Sequence, residues 1–225
     1  GGHEWFRAGD YAFNQKEADA GALIGDWLAG DITELTWETT PPEHFYPRTH
    51  HLFLPSGYDG SAALPLVIGL HGRSDTGAGF ALLTGMDAVA EAEGFALVYP
   101  DGLLNQWNYL GDFVNRDLFH TPDDVAYVER LIDDLAQDVL IDRQRVYLMG
   151  FSNGGFMTYR VGCEIQHPFA GFSVLGALMY PEFEVTCPYA RPTPIVVFHG
   201  TQDQSILWDG VTHPSPDGTS DVFAT

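Results

Sequence analysis

From residue 47 onward, short apolar runs alternate with segments that have a helical period. The runs at 66–70 and 95–99 have the length and composition of strands buried on both faces of a parallel sheet. Weaker patterns predict further strands at 48–55, 145–149, 169–178 and 194–198. Helices are predicted at 81–93, 122–139 and 153–163. This alternation predicts an α/β fold, with a mostly parallel sheet, right-handed crossovers and helices on both faces.

The predicted helix at 122–139 has the most complete set of local signals. Thr121 is placed to cap its N-terminus, and Asp123 and Asp124 fall in the first turn, where the helix dipole favours acids. One helical face collects its apolar residues, at positions 125, 128, 131, 132 and 135.

The first 45 residues are weakly patterned and end in the breaker-rich stretch 39–42. We therefore expect an N-terminal extension at 1–45 packed on a main domain at 46–225. No run approaches the roughly 18 apolar residues of a membrane helix. The start of the chain also lacks the pattern of a secretory leader, so the expectation is that a leader is absent or already removed.

Acidic residues dominate the charge balance, with 31 Asp and Glu against 10 Lys and Arg and a net charge of −21. Such a surface repels nucleic acid and anionic lipid, so neither a nucleic acid nor a membrane is expected as a partner. Adaptation to salty water and compositional drift in an extracellular protein both account for the charge. The charge says nothing about oligomeric state.

The two cysteines, Cys163 and Cys187, lie in a predicted helix and in the irregular stretch that follows it. Without a CxxC or a Cys/His cluster, no metal site is expected. A disulfide between them would close a loop of about 25 residues, contribute roughly 3 kcal/mol and indicate an oxidising, extracellular location. Two buried free thiols are the alternative.

The strongest chemical signal is the G-x-S-x-G sequence at 150–154, which lies between a predicted strand and a predicted helix. A sharp strand-to-helix turn lifts the serine hydroxyl clear of the sheet, and flanking glycines relieve the crowding. Ser152 is therefore the candidate nucleophile. A purely structural tight turn is the alternative.

Two further loops at strand ends supply the other candidate groups. The Leu70-His71-Gly72-Arg73 segment predicts that the Arg73 N–H is one oxyanion donor, and the Asn153 N–H is the other. His71 itself is predicted to be structural. Asp203 follows the strand at 194–198 and is the candidate acid for orienting a histidine, with Asp209 as the second choice and a solvated loop carboxylate as the alternative for both.

These segments resemble the secreted esterases grouped as polyhydroxybutyrate depolymerase-like and feruloyl esterase-like proteins of the α/β-hydrolase superfamily. The resemblance rests on the nucleophile segment and on segments at 54–58, 70–72, 98–102, 107–108, 124–125, 142–147 and 199–203. It implies a Ser–His–Asp triad with Ser152 as nucleophile and Asp203 as acid, an oxyanion hole and no metal or other cofactor. By the same resemblance Trp107 lines the substrate cleft, although a core tryptophan is an equally simple interpretation.

The triad histidine is missing from its expected place after a further helix and strand beyond Asp203. Only 22 residues follow Asp203, and His213 lies ten residues after it, which leaves no room for those elements. His120 lies on a predicted loop, but nothing else in the sequence favours it as the triad histidine. We expect a truncated or cleaved chain that lacks the last strand, or a histidine from an unusual position or a neighbouring chain.

The residues and the resemblance together predict a serine esterase that forms an acyl-enzyme. The resemblance implies a polymeric or aryl ester as substrate, either a hydroxycinnamoyl ester on plant polysaccharide or a polyester bond. Aromatic residues at 107, 109 and 113 suit flat acyl groups. The alternatives are a catalytically silent hydrolase-fold protein that binds polymer, and a serine peptidase.

Overall fold

A seven-stranded sheet with strand order β1-β2-β4-β3-β5-β6-β7 organises the chain. The computed structural model describes residues 48–110, 122–165, 169–179, 187 and 192–208, and the backbone of three short strands at 3–6, 213–214 and 220–221. The sheet strands are β1 His3–Phe6, β2 His50–Leu54, β3 Leu64–Leu70, β4 Ala96–Pro100, β5 Ile141–Phe151, β6 Gly171–Leu175 and β7 Ile195–Phe198. The helices are α1 Gly77–Thr84, α2 Asp87–Glu93, α3 Asp124–Leu135 and α4 Asn153–Glu164.

The five strands from β3 to β7 pair in parallel, whereas β1 and β2 are antiparallel to their neighbours. The prediction of a mostly parallel sheet is confirmed. β1 lies within the first 45 residues and pairs with β2, and the division of the chain into an extension at 1–45 and a main domain stays a prediction. Residues 7–47 lie outside the described part of the chain, and the predicted boundary at 45 stays a prediction. The strands β8 His213–Pro214 and β9 Ser220–Asp221 pair with each other.

Buried side chains cover the sheet on both faces. Leu66, Ile68 and Leu70 of β3 alternate along the strand and pack with the apolar stripes of α3 and α4. On the other face, Leu97 and Tyr99 of β4 pack with residues of α1 and α2. The alternation explains why the central strands read as continuous apolar runs in the sequence.

Local chain signals explain two differences from the predicted helices. The helix expected at 81–93 is two helices, because Gly85 ends α1 in a left-handed conformation (φ 58°) before α2 begins. At α3 the N-cap is Asp123, whose carboxylate accepts the Ala126 N–H at 2.9 Å, and the expectation of a cap at Thr121 is wrong. Thr121 itself lies outside the described residues.

β7 forms the far edge of the sheet and is unusually open for a strand in this position. Its four side chains are all exposed, with Phe198 reaching 59%. Within the described ranges, β7 pairs only with β6. None of the described helices has the length and apolar character needed to span a membrane.

Cys163 and Cys187 form a disulfide with their Cα atoms 4.8 Å apart, as predicted. Cys163 is buried near the end of α4, where Tyr109 and Tyr159 pack around it. The bridge therefore ties Cys187, which follows β6 in the chain, to the helix that begins at the G-x-S-x-G turn.

We expect reduction of this disulfide, or the double substitution Cys163→Ala/Cys187→Ala, to lower the free energy of unfolding by about 3 kcal/mol. The bridge joins residues 24 positions apart, and without it the unfolded chain gains conformational entropy. Urea unfolding with and without dithiothreitol measures the difference. The double-alanine variant is the control, since dithiothreitol should leave its midpoint unchanged. Equal midpoints for oxidised and reduced wild type contradict the prediction.

Candidate active site

Ser152 occupies the turn between β5 and α4 in a strained backbone conformation, with φ 51° and ψ −115°. A non-glycine residue at positive φ persists only where its surroundings fix it. Two hydrogen bonds do so here: the Ser152 N–H donates to the Leu175 carbonyl at 2.8 Å, and the Ser152 carbonyl accepts the Phe156 N–H at 3.0 Å. The turn thus holds the Ser152 side chain at the carboxyl end of the sheet.

Two glycines make this turn sterically feasible. A Cβ on Gly150 would lie 2.1 Å from the Gly154 carbonyl oxygen, and one on Gly154 would lie 2.2 Å from the Leu70 carbonyl oxygen. Backbone atoms cannot give way at such distances, so the sequence requires glycine at both positions. The second contact also presses the start of α4 against the loop that follows β3.

The two predicted oxyanion donors lie on the segments that this contact brings together. Asn153 is the first residue of α4, and its N–H is one of the helix-terminal donors without an intrahelical acceptor. Arg73 lies three residues beyond Leu70, in the loop that meets Gly154. Among the described residues, neither the Arg73 N–H nor the Asn153 N–H has a hydrogen-bond acceptor.

His71 is fully buried beside this loop, as a structural residue is expected to be. Its Nε2 accepts the Gly102 N–H at 2.8 Å, so the ring carries its proton on Nδ1, which donates to the Gly72 carbonyl at 2.6 Å. Burial lowers the pKa of the imidazole. His71 is therefore neutral and holds the loop, and no proton transfer is assigned to it.

Trp107 lies beneath the turn with only 2% of its surface exposed. The Asn153 side chain contacts its backbone twice, accepting the Trp107 N–H at 2.6 Å and donating to the Trp107 carbonyl at 3.2 Å. The indole N–H donates to the His71 carbonyl at 3.0 Å. This position favours the core-tryptophan interpretation over the expected role in lining the substrate cleft.

A buried ion pair holds the residue that follows Trp107. Arg48 Nη1 lies 2.5 Å from Asp124 Oδ1, and Asp124 Oδ2 accepts the Asn108 N–H at 2.5 Å. The Arg48 guanidinium carbon also lies 4.2 Å from the centre of the Tyr127 ring. Burial raises the pKa of the Asp124 carboxyl, and Arg48 acts against that rise.

The sequence interpretation missed this ion pair, although one signal was present. Asp124 falls four residues before Val128 and seven before Leu131, which places its carboxylate on the apolar face of α3. A carboxylate on a buried face requires a cation or several donors. That argument predicts a partner for Asp124, but the pattern alone does not identify Arg48.

Asp203 follows β7 on a loop at the carboxyl end of the parallel strands, the same end at which Ser152 follows β5. Its Oδ1 accepts the N–H groups of Ser205 at 2.8 Å and Ile206 at 3.0 Å, and these hydrogen bonds hold the pKa of the carboxyl below its usual value. Oδ2 has no hydrogen-bond partner within the described residues. The second choice, Asp209, lies outside them.

An open pocket of about 560 Å³ lies between the nucleophile turn and the Asp203 loop. It is lined by Phe151, Gly176, Val197, Phe198, His199, Gly200, Asp203 and Trp208. Phe151 directly precedes Ser152, and Gly176 follows the Leu175 carbonyl that fixes the turn. The pocket therefore joins the two segments that carry the predicted nucleophile and acid.

No described histidine is hydrogen-bonded to the Ser152 hydroxyl or to Asp203. His199 lines the pocket, but its Nδ1 contacts the Gly200 carbonyl at 3.1 Å. His120 and His167 lie outside the described residues, as does the side chain of His213. In the described part of the chain, no group of three or more His, Cys, Asp or Glu side chains could hold a metal ion.

Comparison with known proteins gives a family match over most of the described chain. The model of the family described as phospholipase/carboxylesterase matches residues 59–208. Among solved structures, one described as a thermostable esterase covers 77% of this chain, and the chain covers 48% of that structure. Its TM-score is 0.55 at 24% sequence identity, which indicates the same fold.

Three curated relatives are similar over half of the chain or more. The bifunctional acetylxylan esterase/xylanase of Neocallimastix patriciarum is 30% identical over 73% of this chain, feruloyl esterase B of Piromyces equi 27% over 69%, and poly(3-hydroxyalkanoate) depolymerase C of Paucimonas lemoignei 30% over 52%. The matches cover 22%, 29% and 28% of these relatives, respectively. The chain thus spans less than a third of the length of each.

Proposed function

The chain belongs to the phospholipase/carboxylesterase family, and from that premise we propose that it is a serine hydrolase of carboxylic esters linked to polymers. The observation that carries the proposal is the Ser152 turn. Ser152 has a strained backbone and directly precedes α4, and the N–H groups of Asn153 and Arg73, which we assign as oxyanion donors, have no acceptors among the described residues. Such an arrangement can attack a carbonyl carbon and stabilise the negative charge that develops on its oxygen.

The proposed reaction proceeds through an acyl-enzyme. Ser152 Oγ attacks the ester carbonyl carbon while a histidine takes the hydroxyl proton, and the N–H groups of Arg73 and Asn153 bind the resulting oxyanion. Collapse of the tetrahedral intermediate breaks the ester bond, and the histidine gives its proton to the departing alkoxide. Water then repeats the sequence on the acyl-enzyme, which releases the acid. Asp203 orients the histidine through Oδ2, since Oδ1 is held by Ser205 and Ile206.

We infer that the histidine comes from outside the described residues. The exposed side chains of β7, together with its one described neighbour β6, support a further segment of the protein that packs against this edge. The pocket opens onto Asp203 and onto Phe151, the residue before Ser152, so it is the opening through which we propose that a residue of that segment enters. A histidine from a neighbouring chain would have to use the same opening.

The proposed substrates are acyl groups on plant polysaccharide or the ester bonds of a polyester. The names of the three relatives support this class. Tyr109 stacks on Phe156 with ring centres 4.8 Å apart, and Phe113 lies outside the described residues, so the expected aromatic cluster gives no direct support. The disulfide supports an extracellular location.

A second candidate is a hydrolase-fold protein that binds polymer without cleaving it. The observation in its favour is that no described histidine contacts Ser152 or Asp203. It shares the fold and the pocket with the esterase, and only turnover separates the two.

The deciding experiment measures product release from feruloylated arabinoxylan, acetylated xylan and poly(3-hydroxybutyrate), with Ser152→Ala as the control. We also expect the full-length protein to cleave p-nitrophenyl butyrate and to leave the matching p-nitroanilide intact. Polymer binding without release by wild type contradicts the esterase and favours the binding protein. Cleavage of the anilide at a similar rate favours a peptidase.

A further inference from the structure

We propose that Trp107 is a positioning residue that holds both oxyanion donors in register, an inference that rests on the proposed function. One donor belongs to the start of α4 and the other to the loop after β3. These segments are distant in sequence, so their alignment depends on contacts between them. Trp107 is hydrogen-bonded to both, through its backbone on one side and its indole N–H on the other.

The contact to the first donor is a two-point clamp. The Asn153 side chain accepts the Trp107 N–H at 2.6 Å and donates to the Trp107 carbonyl at 3.2 Å. Both groups of the amide are engaged, so the side chain cannot rotate without breaking a buried hydrogen bond. The clamp therefore ties the first residue of α4, whose own N–H is the proposed donor, to the Trp107 backbone.

The contact to the second donor runs through His71. The indole N–H donates to the His71 carbonyl at 3.0 Å, while the His71 ring donates to the Gly72 carbonyl at 2.6 Å. That carbonyl belongs to the same planar peptide unit as the Arg73 N–H, so the bond fixes the direction in which the N–H points. It also polarises the peptide and strengthens the N–H as a donor.

Packing keeps the indole itself in place. The Trp107 ring lies 5.2 Å from the His71 ring and 6.4 Å from the Tyr127 ring, and the Arg48 guanidinium carbon is 5.9 Å from its centre. Because Trp107 is only 2% exposed, its side chain cannot contact a substrate directly. Its effect on catalysis is therefore expected to come through the geometry of the two peptides.

The test uses Trp107→Phe, which removes the indole N–H and keeps a buried aromatic ring, and Asn153→Ala, which removes the clamp and leaves the backbone N–H. The rate of fluorophosphonate labelling and kcat for p-nitrophenyl butyrate are measured per titrated active site. We expect each variant to lower both by about 10- to 100-fold with KM unchanged, because misplaced donors weaken only the transition state. The rate of the double variant should be only slightly lower than that of the more impaired single variant, because both substitutions break the same bridge between the two donor segments.

Val128→Ala is the control for stability alone. Val128 is fully buried in α3, packs in the same core and makes none of these hydrogen bonds. It should lower the melting temperature and the fraction of titratable sites while leaving the rate per site unchanged. If Trp107→Phe and Asn153→Ala behave like Val128→Ala, the positioning role is wrong and the esterase stands. Absence of labelling in the wild-type full-length protein overturns the proposed function, and this inference with it.

Discussion

Replacing Ser152 with alanine should abolish labelling by a fluorophosphonate and lower ester turnover by about 10⁴-fold or more. The reagent forms a covalent bond with an activated serine oxygen, so intact mass before and after exposure reports the reaction directly. Wild type is expected to gain one adduct and Ser152→Ala none. An adduct that persists in Ser152→Ala places the reactive nucleophile elsewhere in the chain.

Ser152→Gly provides a second, independent measure of the same turn. Glycine tolerates φ near 51° without the cost that a side chain incurs there, which is about 1–3 kcal/mol. We expect Ser152→Gly to be at least as stable as wild type in urea unfolding and more stable than Ser152→Ala, because alanine retains the strain. Both variants should be equally inert to the fluorophosphonate. A glycine variant less stable than the alanine variant contradicts the assignment of strain to this residue.

The nucleophile turn could be predicted from sequence because its determinants are local. The strand, the glycines at 150 and 154 and the helix lie within about 25 consecutive residues, and each leaves its own signal. The central strands were equally clear, since burial on both faces makes them uniformly apolar. The split of the helix at 81–93 was missed because Gly85 fits a helical pattern at modest cost and only its observed conformation shows that it ends α1.

The supporting structure could not be predicted in the same way. Arg48 and Asp124 are 76 positions apart, and Trp107 and Asn153 are 46 apart. Their pairing depends on the order of strands in the sheet, which no local pattern records. The role assigned to Trp107 shows the consequence: an aromatic residue near a strand end suits a cleft or a core equally well, and burial separates the two only in the folded chain.

Asp203→Asn should lower kcat for ester hydrolysis by about 10³- to 10⁴-fold with little change in KM, because the histidine loses the carboxylate that sets its tautomer and stabilises its cation. The amide oxygen of asparagine can still accept the Ser205 and Ile206 N–H groups, so the loop should keep its shape. Steady-state kinetics on p-nitrophenyl butyrate measure the effect. The melting temperature should match that of wild type.

The pH dependence separates the acid from the base. Backbone N–H groups hold the pKa of Asp203 below the ordinary value of an aspartate, so its carboxylate remains ionised as pH falls through the range where a histidine gains its proton. The acid limb of kcat/KM should therefore lie near the histidine value of about 6.5. Loss of activity only below about pH 4, where carboxyl groups gain protons, would mean that a carboxylate controls the limb and contradict this assignment.

Asp209→Asn is the matched control, because it removes the same charge six residues further along the chain. If Asp203 is the acid, Asp209→Asn keeps wild-type kinetics. If the two variants exchange behaviour, the acid is Asp209 and the hydrogen bonds at Asp203 only shape the loop. Unchanged kinetics in both variants, in a chain that Ser152→Ala inactivates, would mean that Ser152 works without either carboxylate and that the triad assignment is wrong.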